Sequence, residues 1–288
     1  MSSIRWQRHP SLRRPIMVVA FGGWNDAADA ASAAVEYLVR VWSARVFAEI
    51  DPEDYFDFTV ARPQIRLEEG ITRRIEWPSI TLSAATVPGA SRDIVLLSGT
   101  EPALRWRHFS EAVVSAATEL GVEMVVGLGA LLADIAHTRP VKVTGTAADP
   151  DLVARFGLQR SRYEGPTGIL GVLHDAFATA DIPSVSLWAS VPHYVAQSPS
   201  PKATLALVER TVGLLGVSLD ALDLKVATSV YERQVNEMVA ADEDAVVYVA
   251  HLEEAGDDDM GDDMLEPVSG DELANEVSQF LRDNQGEA

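Results

Sequence analysis

Residues 16–21, Ile-Met-Val-Val-Ala-Phe, are six consecutive apolar positions, followed by Gly22-Gly23-Trp24-Asn25-Asp26. An apolar run without alternation suits a strand covered on both faces, as in a parallel sheet. Behind it, Ala27, Ala30, Ala31, Ala34, Leu38 and Val41 recur at helical spacing. They predict a helix whose small residues let it lie close to the sheet. Asn25 or Asp26 can cap that helix, because a short side-chain oxygen accepts from the free N–H groups of the first turn.

The same strand–turn–helix pattern returns along the chain. Residues 44–50, 94–97, 122–128, 141–146 and 185–189 predict strands. A helix is predicted from Pro102 through Trp106, Phe109, Val113, Ala116, Ala117 and Leu120, with Gly121 as its stop. Further helices are expected over 149–156, 169–180 and 201–215, and from Leu219 onward. Residues 51–87 read differently. Short β-type runs at 56–60, 64–67, 72–77 and 80–85 are split by prolines, and Glu68-Glu69-Gly70 suits a hairpin turn. They predict an antiparallel excursion beside the parallel sheet. The whole pattern predicts an α/β three-layer sandwich around a mixed, mostly parallel sheet.

Composition divides the chain. From Tyr231 to the end there are eighteen Asp and Glu against two Arg, so −16 of the net charge of −20 lies there. The expected organisation is an α/β core over 1–225 and an acidic helical extension over 226–288. The extension reads as helices over 226–239 and 242–254, a flexible linker near 256–268, and a last helix over 269–281. Residues 256–263 are too charged and too poor in apolar side chains to pack. Residues 257–263 resemble a calcium loop only loosely, because the glycine falls one place early.

With the remainder of the chain near neutral, nucleic-acid binding through phosphate contacts is not expected. No apolar run approaches the roughly 20 residues that span a bilayer, so no membrane partner is expected. There is no cysteine, hence no disulfide or thiolate site, and a cytoplasmic location is expected. A P-loop, a complete dinucleotide fingerprint, a nucleophile elbow and an H-E-x-x-H pair are all missing. No cofactor, no metal site and no catalytic residue is predicted.

Five loops remain as candidates. They hold Gly22, Gly23, Asn25 and Asp26; Gly99 and Glu101; His137 and Arg139; Tyr163, Glu164 and Gly165; and His193 and Tyr194. Loops at the carboxyl ends of parallel strands converge on one crevice, so these are expected to line either a ligand pocket or a subunit contact. Gly22-Gly23 either exposes amides to an anion or only lets the chain turn. Arg139 either grips a carboxylate or phosphate or is tied to Asp134 or Glu164. Glu164 is either a general base or the cap of the next helix. His108 and His174 read as ordinary helix positions.

Taken in order, G-G-W-N-D-A, G-T-E-P, H-T-R-P, Y-E-G-P-T-G and P-H-Y resemble the proteasome assembly chaperone 2 family in its bacterial branch. The resemblance covers roughly residues 15–224, and the acidic region is similar to the C-terminal extension of bacterial members. It implies a fold like that of purine nucleoside phosphorylases, a tendency to form homo-oligomers, trimers above all, and no demonstrated reaction. Eukaryotic relatives assemble the proteasome core through a C-terminal hydrophobic-Tyr-any-residue tail, which Asn284-Gln285-Gly286-Glu287-Ala288 does not match.

The leading expectation is therefore a non-catalytic assembly or scaffold protein whose partner is another protein. The alternative is a small-molecule enzyme or sensor for a nucleoside- or phosphate-type ligand, with Gly23, His137, Arg139 and Glu164 around the ligand.

Overall fold

The computed structural model describes residues 4–68, 72–87 and 89–255. Its strands are β1 (Ile4–Trp6), β2 (Ile16–Gly22), β3 (Arg45–Ile50), β4 (Gln64–Glu68), β5 (Thr72–Glu76), β6 (Ile80–Thr86), β7 (Asp93–Thr100), β8 (Met124–Ala133), β9 (Val143–Ala147) and β10 (Ser184–Pro192). The helices are α1 (Ala30–Val41), α2 (Trp106–Glu119), α3 (Pro150–Phe156), α4 (Ile169–Thr179), α5 (Pro201–Leu215), α6 (Leu222–Ala240) and α7 (Glu243–Ala255).

Eight strands form one sheet in the order β1-β3-β6-β7-β2-β8-β10-β9. The central four, β7-β2-β8-β10, are parallel, and the flanking pairs are antiparallel. The expected mixed, mostly parallel sheet is present, with helices on both faces. Register makes the layers. Met17 lies opposite Val95 and Val125, while Val18 lies opposite Leu96 and Val126. Alternate residues point to opposite faces, so each rung feeds one face. Val18, Leu96, Val126 and Leu187 join a core with Ala34 and Leu38 of α1 and Leu207 of α5. Met17, Val95, Val125 and Leu97 join a second core with Phe109 of α2 and Leu173 of α4.

Three expectations are corrected. Residues 56–60 are not a strand. Tyr55 and Phe56 donate to Pro52 O, and Asp57 Oδ1 accepts from Thr59 N at 2.8 Å and Thr59 Oγ1 at 2.6 Å. Those local bonds turn the chain before a ladder can form. The antiparallel excursion is divided: β4 and β5 form a separate hairpin, whereas β6 joins the main sheet between β3 and β7. Helix α2 begins at Trp106, four residues after Pro102. The amides of Ala103 and Leu104 donate to Tyr55 O, and Arg105 is left-handed at φ 54°, so 102–105 cannot be helical.

The composition shift near 225 falls inside α6, which runs without interruption from Leu222 to Ala240 and packs on α5. The linker expected near 256–268 and the helix expected over 269–281 lie outside the described residues.

Two glycines carry opposite expectations. At Gly99 a Cβ would stand 2.2 Å from Ser79 O and 2.8 Å from Ile80 Cα, both backbone atoms. At Gly213, inside α5, it would meet nothing within 4 Å. Gly99→Ala should therefore lower unfolding free energy by about 1–3 kcal/mol through overpacking, and Gly213→Ala should raise it by about 0.5–1 kcal/mol. Urea unfolding of both variants checks this; equal effects would refute the packing account.

Candidate functional site

All four parallel strands end at one edge of the sheet, but not at the same height. The β2–β8 ladder pairs Val19 with Gly127, and β8 then runs on to Ala133. The turn after β2 therefore lies beside β8 instead of beyond it. Ala130 N donates to Asn25 O at 2.8 Å, and an isolated bridge joins Asp26 to Ala130.

Glu101 gathers three of the candidate loops. Its amide donates to Gly22 O at 2.8 Å. Its Oε2 accepts from Trp24 N at 3.2 Å and its Oε1 from Ile169 N at 2.8 Å. One carboxylate thus ties the turn after β2 to the first turn of α4, where a negative charge also suits the helix dipole. The acceptor at the start of α4 is Glu101, not Glu164, which is exposed. Space is as tight as the bonding. A Cβ on Gly168 would fall 1.8 Å from Asn25 Oδ1, and one on Gly23 would fall 3.0 Å from Glu101 Cβ. Asp26 caps α1: its Oδ1 accepts from Ala31 N at 2.6 Å and Ser32 N at 3.2 Å. Ala28 and Asp29 between them are left-handed, at φ 52° and 53°. Asp26 is buried, and its Oδ2 has no partner among the described residues. Burial raises its pKa above the usual carboxylate value, against the lowering effect of the capping bonds.

The other two loops form a second group, directed at α6 and α7. His137 N and Nδ1 lie 2.7 and 2.8 Å from the Tyr194 hydroxyl, and His137 Nε2 lies 3.0 Å from Asn236 Oδ1 on α6. Burial pushes the Tyr194 hydroxyl up to about 12. Lys202 Nζ donates to His137 O and Arg139 O at 2.6 and 2.7 Å, and pairs with Glu232 of α6 at 2.8 Å. Thr138 and Arg139 reach α7 through the Glu253 side chain and carbonyl. Asp134 contacts His193 at 3.0 Å and Tyr248 at 3.4 Å, which holds its carboxyl below the usual range, the His193 contact contributing most.

The five loops therefore divide. Gly22, Gly23, Asn25, Asp26, Gly99 and Glu101 form one cluster with the 163–168 segment. There the Tyr163 hydroxyl donates to Pro166 O at 2.7 Å and leaves no room for a Cβ on Gly165. His137, Arg139, His193 and Tyr194 form the other, and Arg139 bonds to α7 instead of Asp134 or Glu164.

A cavity of about 530 Å³ opens beside the first cluster, between α4, the segment 160–167 and the β8–β10–β9 side of the sheet. Trp24, Asn25 and Tyr163 reach it from the candidate loops. Residues not singled out from sequence complete it, among them Thr146, Arg160, His174, Ser184, Ser186 and Trp188. His174 Nδ1 lies 2.8 Å from Ser184 Oγ, and burial lowers its pKa to about 4. No sequence signal places it there; its helical spacing is that of any core-facing position. Among the described residues no group of three or more His, Cys, Asp or Glu is placed to hold a metal ion.

Comparison with known proteins agrees with this architecture. The family model described as PAC2 family matches residues 20–239. A PAC2 family protein from Streptomyces avermitilis is 50% identical, with a TM-score of 0.76 over 82% of this chain and 99% of that one. A Mycobacterium tuberculosis proteasome-assembly chaperone homologue is 47% identical, with a TM-score of 0.74 over 81% and 99% of the two chains. An archaeal proteasome activator from Pyrococcus furiosus, at 15% identity, shares the fold with a TM-score of 0.69 over 83% and 99%. No curated protein matches.

Two outcomes follow from the first cluster. Glu101→Ala leaves the amides of Trp24 and Ile169 without an acceptor and should cost about 1–3 kcal/mol. It should also speed hydrogen exchange at both amides; unchanged protection there would refute the bridging role. For Asp26 the sign runs with burial. A raised folded-state pKa gives stability that is fully present below the unfolded value of about 3.9 and is lost as pH rises through the folded one. The stability of the wild type relative to Asp26→Asn should therefore fall as pH rises above about 4 in paired melts. A constant difference would show that the carboxylate is not desolvated.

Proposed function

The chain belongs to the PAC2 family, and from that premise we propose that it is a non-catalytic interaction protein that assists assembly of a multi-subunit partner. The observation that carries this reading is its 47% identity, over 99% of that chain, to a proteasome-assembly chaperone homologue. The partner is then a proteasome-type complex, and the protein acts in the cytoplasm as a homo-oligomer, with a trimer the favoured state.

The geometry supports an interaction role in two ways. Residues of the second loop cluster are spent on holding α6 and α7, so they position an acidic surface instead of a substrate. Helix α6 also has two apolar faces. Leu224, Tyr231 and Val235 are buried against the body, whereas Leu222, Val226 and Val230 are exposed at four-residue spacing. Leu222 and Val226 are 64% and 58% exposed. On a helix, residues four apart share one side, so these three form an outward apolar stripe of the kind that packs on another surface.

The nucleoside- or phosphate-ligand enzyme, with a nucleoside-phosphorylase-like fold, needs Gly23, His137, Arg139 and Glu164 around one ligand. His137 and Arg139 instead bond to α6 and α7, and Glu164 is exposed. That arrangement favours the interaction reading.

The test is reconstitution with purified proteasome α and β subunits from the same organism, followed by size-exclusion chromatography. The full chain should co-elute with unassembled subunits and speed the appearance of assembled cores. Leu222→Asp with Val226→Asp, both exposed, should keep the melting temperature and weaken the complex by about tenfold or more. No complex and no change in assembly rate with the wild-type chain would overturn the reading.

A further inference from the structure

The cavity beside α4 takes no part in the proposed interaction surface, and its lining is not that of a chance gap. Interiors are close-packed, and voids larger than a water molecule are few. This one stays open because its walls carry small side chains. Ala147 ends β9 and Ala148 follows it, and Gly171 and Ala178 stand on α4. At about 530 Å³ it falls within the range of small-molecule sites.

Its aromatic wall is fixed. The Trp188 indole lies directly over Gly129, where a Cβ would come within 2.3 Å of the ring. Its Nε1 donates to Ser186 Oγ at 3.1 Å. The ring therefore has no freedom to collapse into the void. Trp24, 49% exposed, stands at the cavity as a second indole.

The polar groups can be accounted for one by one. Ser186 Oγ accepts from Trp188 and pairs with Thr146 Oγ1 at 2.7 Å. Two hydroxyls bring two hydrogens, and their mutual bond uses one. One hydroxyl hydrogen is left to donate. Asn25, 5% exposed, also borders the cavity, but its Oδ1 is packed against Gly168 and out of reach of a ligand. Inside the cavity, then, one hydroxyl donor awaits a partner.

Charge narrows the choice further. Among the described residues of the lining, Arg160 is the cation and Asp175 the carboxylate; both are exposed, and they offset each other. The imidazole of His174 is neutral at physiological pH. A Ser184–His174 pair could suggest nucleophilic catalysis, but Nε2 has no partner among the described residues to orient the ring. A serine nucleophile needs a base that is itself held by a third group. The site is built for binding.

We infer that this cavity binds an uncharged heteroaromatic small molecule, stacked on Trp188 and hydrogen-bonded through the Ser186–Thr146 pair. Aromatic faces prefer offset or edge contacts with other rings. A flat ring carrying an acceptor satisfies the hydroxyl left to donate, whereas an alkyl chain leaves it unpaired. Occupancy would couple the segment 160–167 to the start of α4, and through Glu101 to the turn after β2.

The test uses the full chain and four probes in isothermal titration: adenosine, riboflavin, AMP and 1-octanol. At least one of adenosine and riboflavin should bind one-to-one with a Kd below about 1 mM, and 1-octanol at least about tenfold more weakly. AMP should gain nothing over adenosine. Ala178→Phe, an exposed position on α4 that narrows the cavity, should weaken binding about tenfold with an unchanged melting temperature. Ser186→Ala should weaken it by a smaller factor. Four results would each overturn the inference: no binding by either heteroaromatic probe, tighter binding of 1-octanol, a tenfold preference for AMP, or binding unaffected by Ala178→Phe.

Discussion

The Glu101 carboxylate is the contact on which the functional end of the molecule depends. A parallel sheet buried on both faces ends in backbone groups that no ladder satisfies, and buried N–H groups left unpaired are costly. Glu101 accepts from two backbone amides at once, one in the turn at Trp24 and one at the helix start at Ile169. Because those residues belong to the turn after β2 and to the start of α4, the bond also sets how far α4 stands from the strands. Asp26 performs the equivalent duty for α1, and the cost of burying it appears as a raised pKa.

The same need is met differently on the β10 side. There, His137, Tyr194 and Lys202 satisfy loop carbonyls and amides while reaching α6 and α7. The two loop clusters consequently serve different ends of the molecule. One shapes a cavity, and the other holds a helical surface against the body. The chain in this way keeps an exposed helical face and an open cavity apart from each other. Neither cluster depends on the exposed β4–β5 hairpin.

Much of the frame was legible. The run 16–21 behaves as a doubly covered strand, because six consecutive apolar residues admit little else. Gly121 follows α2 in a left-handed conformation, as the helix stop its position predicts. Where the reading failed, a local or distant bond outweighed propensity. Asp57 turned a β-type run into a loop, and Tyr55 O drew the 103 and 104 amides out of the helix that Pro102 seemed to open. His174 looked like any helix position because burial depends on what faces it.

By itself the sequence determined the layered α/β fold, the main strand–helix order, the acidic C-terminal character and the candidate loops, since all of these follow from periodicity, composition and short motifs. Only the tertiary structure decided how those loops are grouped. Glu101 and Ile169 are 68 positions apart, and His137 and Asn236 are 99 apart. No local rule relates such pairs. They meet because β8 outruns β2 and because Gly99, Gly129 and Gly168 let neighbouring groups approach more closely than a side chain would allow.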